Sequence, residues 1–414
     1  MQNVAYVIPS FPVISETFIT AEIRALAAEG IAVRPICFER RDGACQPGDE
    51  IIAAQMGCTR DIGLWRVLGL VLFLLPWRWS QVRSAWQWAT QQGGIRPRSL
   101  MLHGLRLAVW VRAGRCRHIH AHFVHSSAAM ALIAGRLLGL PVSFTGHGTD
   151  VYRAPVDLPL KLRGCDFAVA VSEAMQADML ALAPAARVHC IPCGIDTELF
   201  CGGAGEAGSG LRLLFLGRLS ETKGVADLLD ALALLPPAQR PRLDLAGDGP
   251  LAAALRQQCA RLELAPWCRF LGAVDREWLR QHAPGYLAMV LPFCRTEDGR
   301  MDTGPLVLKE AMALRLPVIT TELMRSLGIV DEETALLCPP SSPKALAQRM
   351  AMMLQSVTEP ALQRRLQAQT DLAESRVKAR YDVRQQAQAL AALFLQAMAA
   401  QRRVKKTARS APLG

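Results

Sequence analysis

The sequence predicts an α/β chain made of two doubly wound, Rossmann-like domains. Its 414 residues are enough for two or three domains that each bury a core, and a composition of 51% apolar and 20% charged residues is typical of a folded globular chain. Short apolar runs, typical of buried parallel strands, alternate with helical patterns. Residues 201–210, rich in Gly, Ala and Ser, predict a flexible hinge between two such series. We expect ligands in a central cleft that both sheets face with their carboxyl ends.

The N-terminal domain is predicted to span residues 1–200. Apolar runs of strand length occur in it at 4–8, 32–38, 119–121, 142–145, 168–171 and 188–191. Helical periodicity follows several of these runs, at 16–28, 126–138 and 173–182. This order is the βαβ rhythm of a parallel sheet.

The C-terminal domain is predicted at 211–380 and repeats that rhythm. Its strands are expected at 212–216, 243–246, 269–271, 287–292, 318–320 and 335–337. Its helices are expected at 225–235, 251–262, 276–283, 305–314 and 343–354. A C-terminal helix is predicted at 381–400, with its clearest periodicity at 385–399, and the basic tail at 401–414 is expected to be disordered.

The net charge of +11 is concentrated in two segments. The tail is one, and the other is the Arg/Trp segment, residues 60–117, which holds ten arginines against one acid and six of the eight tryptophans. Arginine mixed with tryptophan suits a membrane interface. Its apolar run at 67–77 has 11 residues, whereas a spanning helix needs about 20. We expect this segment to face an anionic membrane surface without crossing the membrane.

Two other interpretations of the Arg/Trp segment stay open. The first is a buried core helix flanked by solvated arginines. The second is nucleic-acid binding, which no zinc, helix-turn-helix or stacking motif accompanies, so no nucleic-acid partner is predicted.

The N-terminus has no basic region ahead of an apolar one, and twelve scattered cysteines do not form a disulfide framework. We therefore expect a cytoplasmic protein, peripheral on the inner membrane face. Cys190 and Cys193, with Cys201, resemble half a zinc site, but no second ligand pair follows, and the thiols are interpreted as structural.

Alternating histidines mark the end of one predicted strand, at His118, His120, His122 and His125. We expect one or two of them to line the cleft and the others to pack or cap. No metal site is predicted. No Gly-x-Gly-x-x-Gly follows the first strand, which disfavours a nicotinamide enzyme.

Residues 217–224 (GRLSETKG) follow a predicted strand and open a helix. Arg218 and Lys223 would then lie at the carboxyl edge of the sheet, beside a helix N-terminus that favours anions. The pair predicts a diphosphate clamp. The alternative is a solvated surface pair.

Residues 302–312 (DTGPLVLKEAM) predict a helix start, because proline is tolerated at the first helical position. The backbone N–H groups of Leu306 and Val307 would then point toward the cleft. About one and a half turns on, the Glu310 carboxylate could accept two hydrogen bonds from a ribose diol, and Asp302 could reach another part of the same ligand.

The alternative for Glu310 is structural. A neighbouring base, such as Lys309 or Arg315, would then form an ion pair with it. Spacing alone does not choose between the two interpretations.

Four motifs of the second half occur in a specific order: 217–224, 247–250 (GDGP), an acid at 302 followed by Glu at 310, and 316–319 (LPVI). They resemble the donor-binding domain of the retaining glycosyltransferases of family 4, which have the two-domain GT-B fold. The first half is similar to the branch that builds exopolysaccharides of the colanic-acid type, at 10–18 (SFPVISETF), 120–123 (HAHF), 143–150 (SFTGHGTD), 171–173 (VSE) and 191–196 (IPCGID).

The resemblance implies an enzyme of the hexosyltransferase type. It would move a sugar from a nucleotide-diphosphate sugar, UDP- or GDP-linked, to a hydroxyl of a glycan or lipid-linked acceptor, with no metal or other cofactor. The alternatives are a sugar-nucleotide epimerase or phosphorylase-like enzyme on the same fold, which a water or phosphate acceptor would reveal, and a non-catalytic polysaccharide-assembly protein.

The resemblance also implies roles for individual residues. Arg218 and Lys223 would hold the diphosphate, Glu310 the ribose, and Asp302 would face the transferred sugar. His147, from the opposite domain, would line the donor sugar. The implied catalytic residues are Arg218, Lys223, His147 and Asp302, and the implied donor-binding residues are Arg218, Lys223, Gly247, Leu306, Val307 and Glu310.

The chain departs from the family pattern in four places. Asp302 stands where the family has Glu, Cys193 replaces a frequent Asn, and residues 322–328 fill the place of a Gly-rich turn. A Gly-Gly phosphate loop near the N-terminus is replaced by 9–12 (PSFP), as the exopolysaccharide branch tends to have. None of these changes removes a residue of the predicted clamp.

Overall fold

The chain forms two compact units, each with its own parallel sheet. A computed structural model describes residues 2–13, 16–42, 45–152, 157–201 and 211–410. Unit 1 comprises Met1–Pro192 and Arg384–Gly414, and unit 2 comprises Cys193–Val383. Most of the predicted hinge, 202–210, and the last four residues of the predicted tail lie outside the described residues.

Unit 1 contains a seven-stranded sheet and helices on it. Its strands are β1 (Gln2–Phe11), β2 (Ile31–Arg40), β3 (Gly57–Cys58), β4 (His118–His122), β5 (Val142–Gly146), β6 (Phe167–Ala170) and β7 (Val188–Cys190). Its first eight helices are α1 (Thr17–Ala28), α2 (Glu50–Gln55), α3 (Leu64–Thr90), α4 (Pro97–Ala113), α5 (Ser126–Leu138), α6 (Thr149–Tyr152), α7 (Leu158–Gly164) and α8 (Glu173–Leu182). The strand order is β3-β2-β1-β4-β5-β6-β7.

Unit 2 contains a six-stranded sheet. Its strands are β8 (Arg212–Leu216), β9 (Arg242–Ala246), β10 (Cys268–Gly272), β11 (Ala288–Leu291), β12 (Val318–Thr321) and β13 (Leu336–Cys338). Its helices are α9 (Val225–Leu234), α10 (Ala252–Arg261), α11 (Arg276–His282), α12 (Leu306–Ala313), α13 (Glu322–Ser326), α14 (Pro343–Gln355) and α15 (Pro360–Arg380). The strand order is β10-β9-β8-β11-β12-β13. Every strand predicted from the sequence has a counterpart in one of the two sheets.

The boundary between the units differs from the predicted one at 200. Phe200 is 1% exposed in the core of unit 2, and Ile195 forms a parallel bridge with Asp382 in the same unit. The last helix, α16 (Val383–Ser410), returns to unit 1, where Phe394 packs against Tyr6 and His118. Its helical course to Ser410 shows that the prediction of a disordered tail from 401 was wrong for the described part of that tail.

Helices α3 and α4 account for most of the Arg/Trp segment. One face of α3 is buried, for example at Leu70 and Ala85, while Trp65, Leu72 and Trp79 are each more than 60% exposed. The interpretation as a wholly buried helix is therefore wrong. Among the described helices, none combines the length and apolar character needed to cross a bilayer.

The strand order of unit 2 reverses between β8 and β11. In open α/β sheets, ligands bind beyond the carboxyl ends of the strands at such a reversal. The loop after β8 carries Arg218 and Lys223, and the loop after β11 carries Asp302. Topology thus brings the two predicted motifs to one edge of one sheet.

Candidate active site

Glycines allow the loops at the carboxyl edge of unit 2 to approach closely. Gly224 has φ +63°, and a Cβ on it would lie 1.9 Å from the carbonyl oxygen of Pro292 in the loop after β11. Gly247 has φ +136°, and a Cβ there would lie 1.9 Å from the carbonyl oxygen of Gly217. Any side chain at either position would force these loops apart. Gly247 therefore contributes to this edge through its backbone conformation, which lets its loop approach the loop of Gly217.

Lys223 and Asp302 lie together at this edge. The Lys223 Nζ is 3.2 Å from Oδ2 of Asp302 and 4.8 Å from the ring centroid of the buried Phe293. The side chains of Lys223 and Asp302 are 14% and 26% exposed. Arg218 is exposed on the same loop, three residues before the start of the short 3₁₀ turn Glu221–Lys223. The structure thus unites two of the predicted residues as an ion pair and leaves Arg218 open to solvent.

Helix α12 begins one residue later than predicted. Pro305 is its N-cap, in an extended conformation, and Leu306 is its first helical residue. The backbone N–H groups of Leu306 and Val307 lie in the first turn, where no intrahelical carbonyl is available to accept from them. They form the positive end of the helix, as the sequence predicted.

Glu310 is a buried carboxylate on α12. It is 8% exposed, and burial raises its pKa to about 7, against the opposing influence of the positive charges of Arg276 and Lys309. Lys309 donates from Nζ to the carbonyl oxygen of Cys193 at 2.8 Å. Within the described part of the chain, no ion pair includes Glu310.

Arg315, the other candidate base, bonds instead to Asp371 on α15. The structural alternative for Glu310, an ion pair with Lys309 or Arg315, is therefore wrong.

His147 lies in unit 1, just after β5. Its Nε2 is 2.9 Å from Nδ1 of His122, and its backbone N–H donates to Oδ1 of the buried Asp150 at 2.8 Å. The ring contacts both Phe18 and Phe123, with 4.6 Å between ring centroids in each pair. Burial, and secondarily the neighbouring His122, lowers the pKa of His147 well below its usual range. The imidazole is therefore neutral at physiological pH.

The other strand histidines form a buried row on β4. His118, His120 and His122 are each 0% exposed. Ser143 Oγ lies 2.7 Å from both His118 Nε2 and His120 Nδ1, and Thr145 Oγ1 lies 3.0 Å from His120 Nε2. These residues pack inside unit 1, whereas His125 is exposed.

One group of the described residues has the ligand types and spacing for a metal ion: Glu22, His120 and His122. However, both ring nitrogens of His120 already have hydroxyl partners. A metal there would have to break one of these hydrogen bonds. None of the described cysteines forms a disulfide, and Cys190 and Cys193 are half-buried.

Sequence reasoning missed Glu16 and Glu22. Burial raises the pKa of Glu16 to about 7, with His122 and Arg41 as opposing charges nearby. The Oε1 atom of Glu22 lies 3.2 Å from Nε2 of His122. A signal was present for Glu22, since it shares the apolar face of α1 with Ile19 and Ile23, where a carboxylate is unusual unless it has a function.

Comparison with known proteins gives the family. The family model "Glycosyltransferase Family 4" matches residues 15–199, and "Glycosyl transferases group 1" matches residues 210–356. The chain belongs to the family 4 glycosyltransferases. The family resemblance drawn from the motifs is confirmed.

Curated relatives of this glycosyltransferase act in polysaccharide biosynthesis. It is 26% identical over 211 residues to the amylovoran biosynthesis glycosyltransferase AmsK of Erwinia amylovora, a match that covers 49% of this chain and 52% of that one. It is 24% identical over 394 residues to the putative colanic acid biosynthesis glycosyltransferase WcaL of Escherichia coli, covering 86% and 92%. The chain thus spans about half the length of the first relative and most of the second.

The solved structures show the fold. The UDP complex of Anabaena HepE has a TM-score of 0.68 at 17% identity, covering 96% of this chain and all of that one. At this identity the match carries the architecture alone. With two parallel sheets of seven and six strands, the glycosyltransferase has the predicted GT-B fold.

Proposed function

We propose that this glycosyltransferase moves a sugar from a UDP- or GDP-linked donor to a hydroxyl of a glycan or lipid-linked acceptor, with retention of anomeric configuration. The observation that carries the proposal is Glu310, a buried acid on α12 that forms no ion pair with a described residue. A ribose diol offers two O–H donors to such a carboxylate, and both bonds would be charge-assisted. Relatives that act in amylovoran and colanic acid biosynthesis support a polysaccharide product.

The diphosphate would lie against Arg218, Lys223 and the first turn of α12. As the bond between the anomeric carbon and the diphosphate oxygen breaks, negative charge develops on the leaving group. Cations and backbone N–H groups fixed in advance stabilise that charge, at about 3–4 kcal/mol for one well-placed donor. No metal or other cofactor is needed for this role. Asp302, paired with Lys223 in this structure, would orient the lysine and face the transferred sugar.

Retention follows from attack on the face that the diphosphate leaves. The acceptor oxygen forms the new bond to the anomeric carbon, and its proton passes to the departing phosphate oxygen. No side-chain nucleophile is required. His147 would contact the transferred sugar.

The test is turnover with a panel of UDP- and GDP-sugars and a lipid-linked glycan acceptor. Release of the nucleoside diphosphate gives the rate, and the proton NMR coupling of the new linkage gives its anomeric configuration. We expect acceptor-dependent release with one donor, retention in the product, and loss of both in Glu310→Ala. Release that needs only water or phosphate, or an inverted product, would contradict the proposal.

We also propose that α3 and α4 bind the surface of an anionic bilayer, on the cytoplasmic side where the donor is available. Trp65, Leu72, Trp79 and Trp86 recur every seven residues on α3 and are 42–73% exposed. The ten arginines of the Arg/Trp segment supply the complementary charge, worth about 1 kcal/mol each near such a surface.

Vesicle binding tests this surface. Binding to vesicles with 30% anionic lipid should weaken as salt rises and fall further in Trp65→Ala/Trp79→Ala, because both charge and indole insertion contribute. Leu234→Ala, at an exposed position on α9 of unit 2, is the matched control and should bind like the parent. Vesicle binding that does not change with salt concentration would contradict a role for this face. An affinity of the double variant equal to that of the parent would contradict it as well.

A further inference from the structure

The two ends of unit 2 are joined to each other. Its first residues, 193–195, pair with its last residues, 381–383. The N–H of Ile195 donates to the carbonyl oxygen of Tyr381 at 2.9 Å, and the carbonyl oxygen of Ile195 accepts from the N–H of Val383 at 2.9 Å. We call these two segments the junction, because the chain passes to unit 1 at both of them.

Lys309 on α12 contacts both segments of the junction. Its Nζ donates to the carbonyl oxygen of Cys193 at 2.8 Å and lies 4.3 Å from the ring centroid of Tyr381. The ammonium thus bonds to one segment and makes a cation–π contact with the other. The next residue on the helix is Glu310. A single side chain therefore connects the junction to the helix that carries the buried acid.

The ammonium of Lys309 is buried at a cost in stability. The residue is 2% exposed and forms no ion pair with a residue that the structure describes. Burial lowers its pKa to about 8, because one carbonyl and one ring replace only part of the lost hydration. An unbranched apolar side chain would fill this space without that cost. A residue that breaks such a local rule is expected where it serves a function.

The start of α12 depends on contacts other than a side-chain cap. Its N-cap, Pro305, makes no capping hydrogen bond through its side chain. Residues 294–304, which lead into the helix, are half-buried or exposed. Lys309 lies in the second turn of the helix, next to Glu310. The bonds of Lys309 to the junction therefore contribute to the position of this part of α12.

We infer that Lys309 is a positioning residue that couples α12 to the junction, so that a nucleoside diphosphate bound at Glu310 slows local opening of the junction. A ligand that holds α12 in place also holds Lys309, and with it the contacts to Cys193 and Tyr381. Coupling of this kind is reciprocal, so loss of the link weakens binding of the ligand. The inference rests on the proposed function for the ligand at Glu310, whereas the link itself consists of contacts inside unit 2.

Hydrogen exchange of the full-length protein, with and without saturating UDP or GDP, tests the coupling. In the parent, we expect the nucleoside diphosphate to slow exchange on α12, and to slow exchange of the Ile195 and Val383 amides about 5–10-fold. Lys309→Met removes the ammonium and keeps an unbranched side chain. In this variant, exchange on α12 should still slow, but the two junction amides should not respond. Lys344→Met, at an exposed lysine on α14, is the matched control and should behave like the parent.

The exchange data separate this inference from the proposed function. Junction amides that respond equally in Lys309→Met and in the parent would overturn the inference and leave the proposed function in place. Junction amides that do not respond in the parent, although α12 does, would have the same meaning. If neither UDP nor GDP slows exchange on α12, both the inference and the proposed function are contradicted.

Affinity and stability distinguish coupling from a merely structural role of Lys309. Lys309→Met should bind the preferred nucleoside diphosphate about 5–10-fold more weakly than the parent, because the coupling is lost. Its melting temperature should equal or exceed that of the parent, because the cost of burying the ammonium is removed. Unchanged affinity with a lower melting temperature would assign Lys309 to the stability of unit 2 alone and overturn the inference.

Discussion

Two acids in unit 2 are buried to a similar degree but differ in their partners. Asp244 on β9 is 1% exposed, and it accepts hydrogen bonds from Arg269 at 2.7 and 3.0 Å and from the Tyr286 hydroxyl at 2.7 Å. Burial alone would raise its pKa, but the bonds from Arg269 and Tyr286 outweigh burial and lower it. Glu310 on α12 is 8% exposed, has no such bonds with the described residues, and has its pKa raised to about 7 by burial.

We propose that this difference separates an acid that stabilises the fold from one that binds a ligand. Asp244 has its partners within the protein, as buried charges generally do. Glu310 lies on α12, the helix that follows β11 at the sheet reversal where α/β folds bind ligands, and it forms no ion pair with a described residue. A ribose diol would supply the donors that Arg269 and Tyr286 supply to Asp244. The comparison therefore yields opposite predictions for the two residues.

The largest effect is expected at the cation beside the diphosphate. Lys223→Ala should lower turnover about 10²–10³-fold, because a fixed donor to the developing charge is lost. Stability should change by less than about 1 kcal/mol, because the ion pair with Asp302 is partly exposed. Lys344→Ala, an exposed lysine on α14, is the control for removing a positive charge. Parent-like turnover in Lys223→Ala would contradict a diphosphate site at Lys223.

The second effect concerns the pH dependence of stability at Glu310. Because its folded pKa is raised above the unfolded value, its stabilising contribution is present below pH about 4.5 and is lost as pH rises through about 7. Glu310→Gln removes that loss, so the variant should gain stability relative to the parent between pH 5 and 8, by up to about 3 kcal/mol. Urea unfolding of both proteins across this range measures the difference. A variant that is less stable than the parent at pH 8 would show that Glu310 has partners in the fold.

A smaller effect with the opposite sign is expected at Asp244. Asp244→Asn should lower stability at pH 8 by about 2 kcal/mol, because charge-assisted hydrogen bonds to Arg269 and Tyr286 are weakened. The folded pKa of Asp244 is lowered, so the difference from the parent should persist above the unfolded pKa and vanish at strongly acidic pH. Tyr286→Phe should reproduce part of the loss. If Asp244→Asn is as stable as the parent, Asp244 does not stabilise the fold, and the proposed difference between Asp244 and Glu310 is contradicted.

Local patterns were sufficient to predict every strand except β3, the order of the motifs and the edge at which Arg218, Lys223 and Asp302 lie. Apolar runs and helix-start residues are local signals, and topology rules place the carboxyl ends of parallel strands together. The contacts of α16 with Tyr6 and His118 were beyond such reasoning, because they join residues far apart in sequence. Glu22 had a local signal, its place on the apolar face of α1, that was not used. The bounds of helices α3 and α4 were not predicted, although four exposed apolar residues recur every seven residues on α3 and the buried residues of α4 have helical spacing.

Nucleotide binding by the two acid variants tests the central claim most directly. The affinities of the parent, Glu310→Gln and Asp244→Asn for UDP and GDP are to be measured by calorimetry at pH 8, at a temperature where all three are folded. We predict that Glu310→Gln weakens binding of the preferred diphosphate about 10–100-fold, since bonds to a charged acceptor are lost, and that Asp244→Asn binds like the parent. Equal affinity in the parent and Glu310→Gln would contradict the assignment of Glu310 to the ribose.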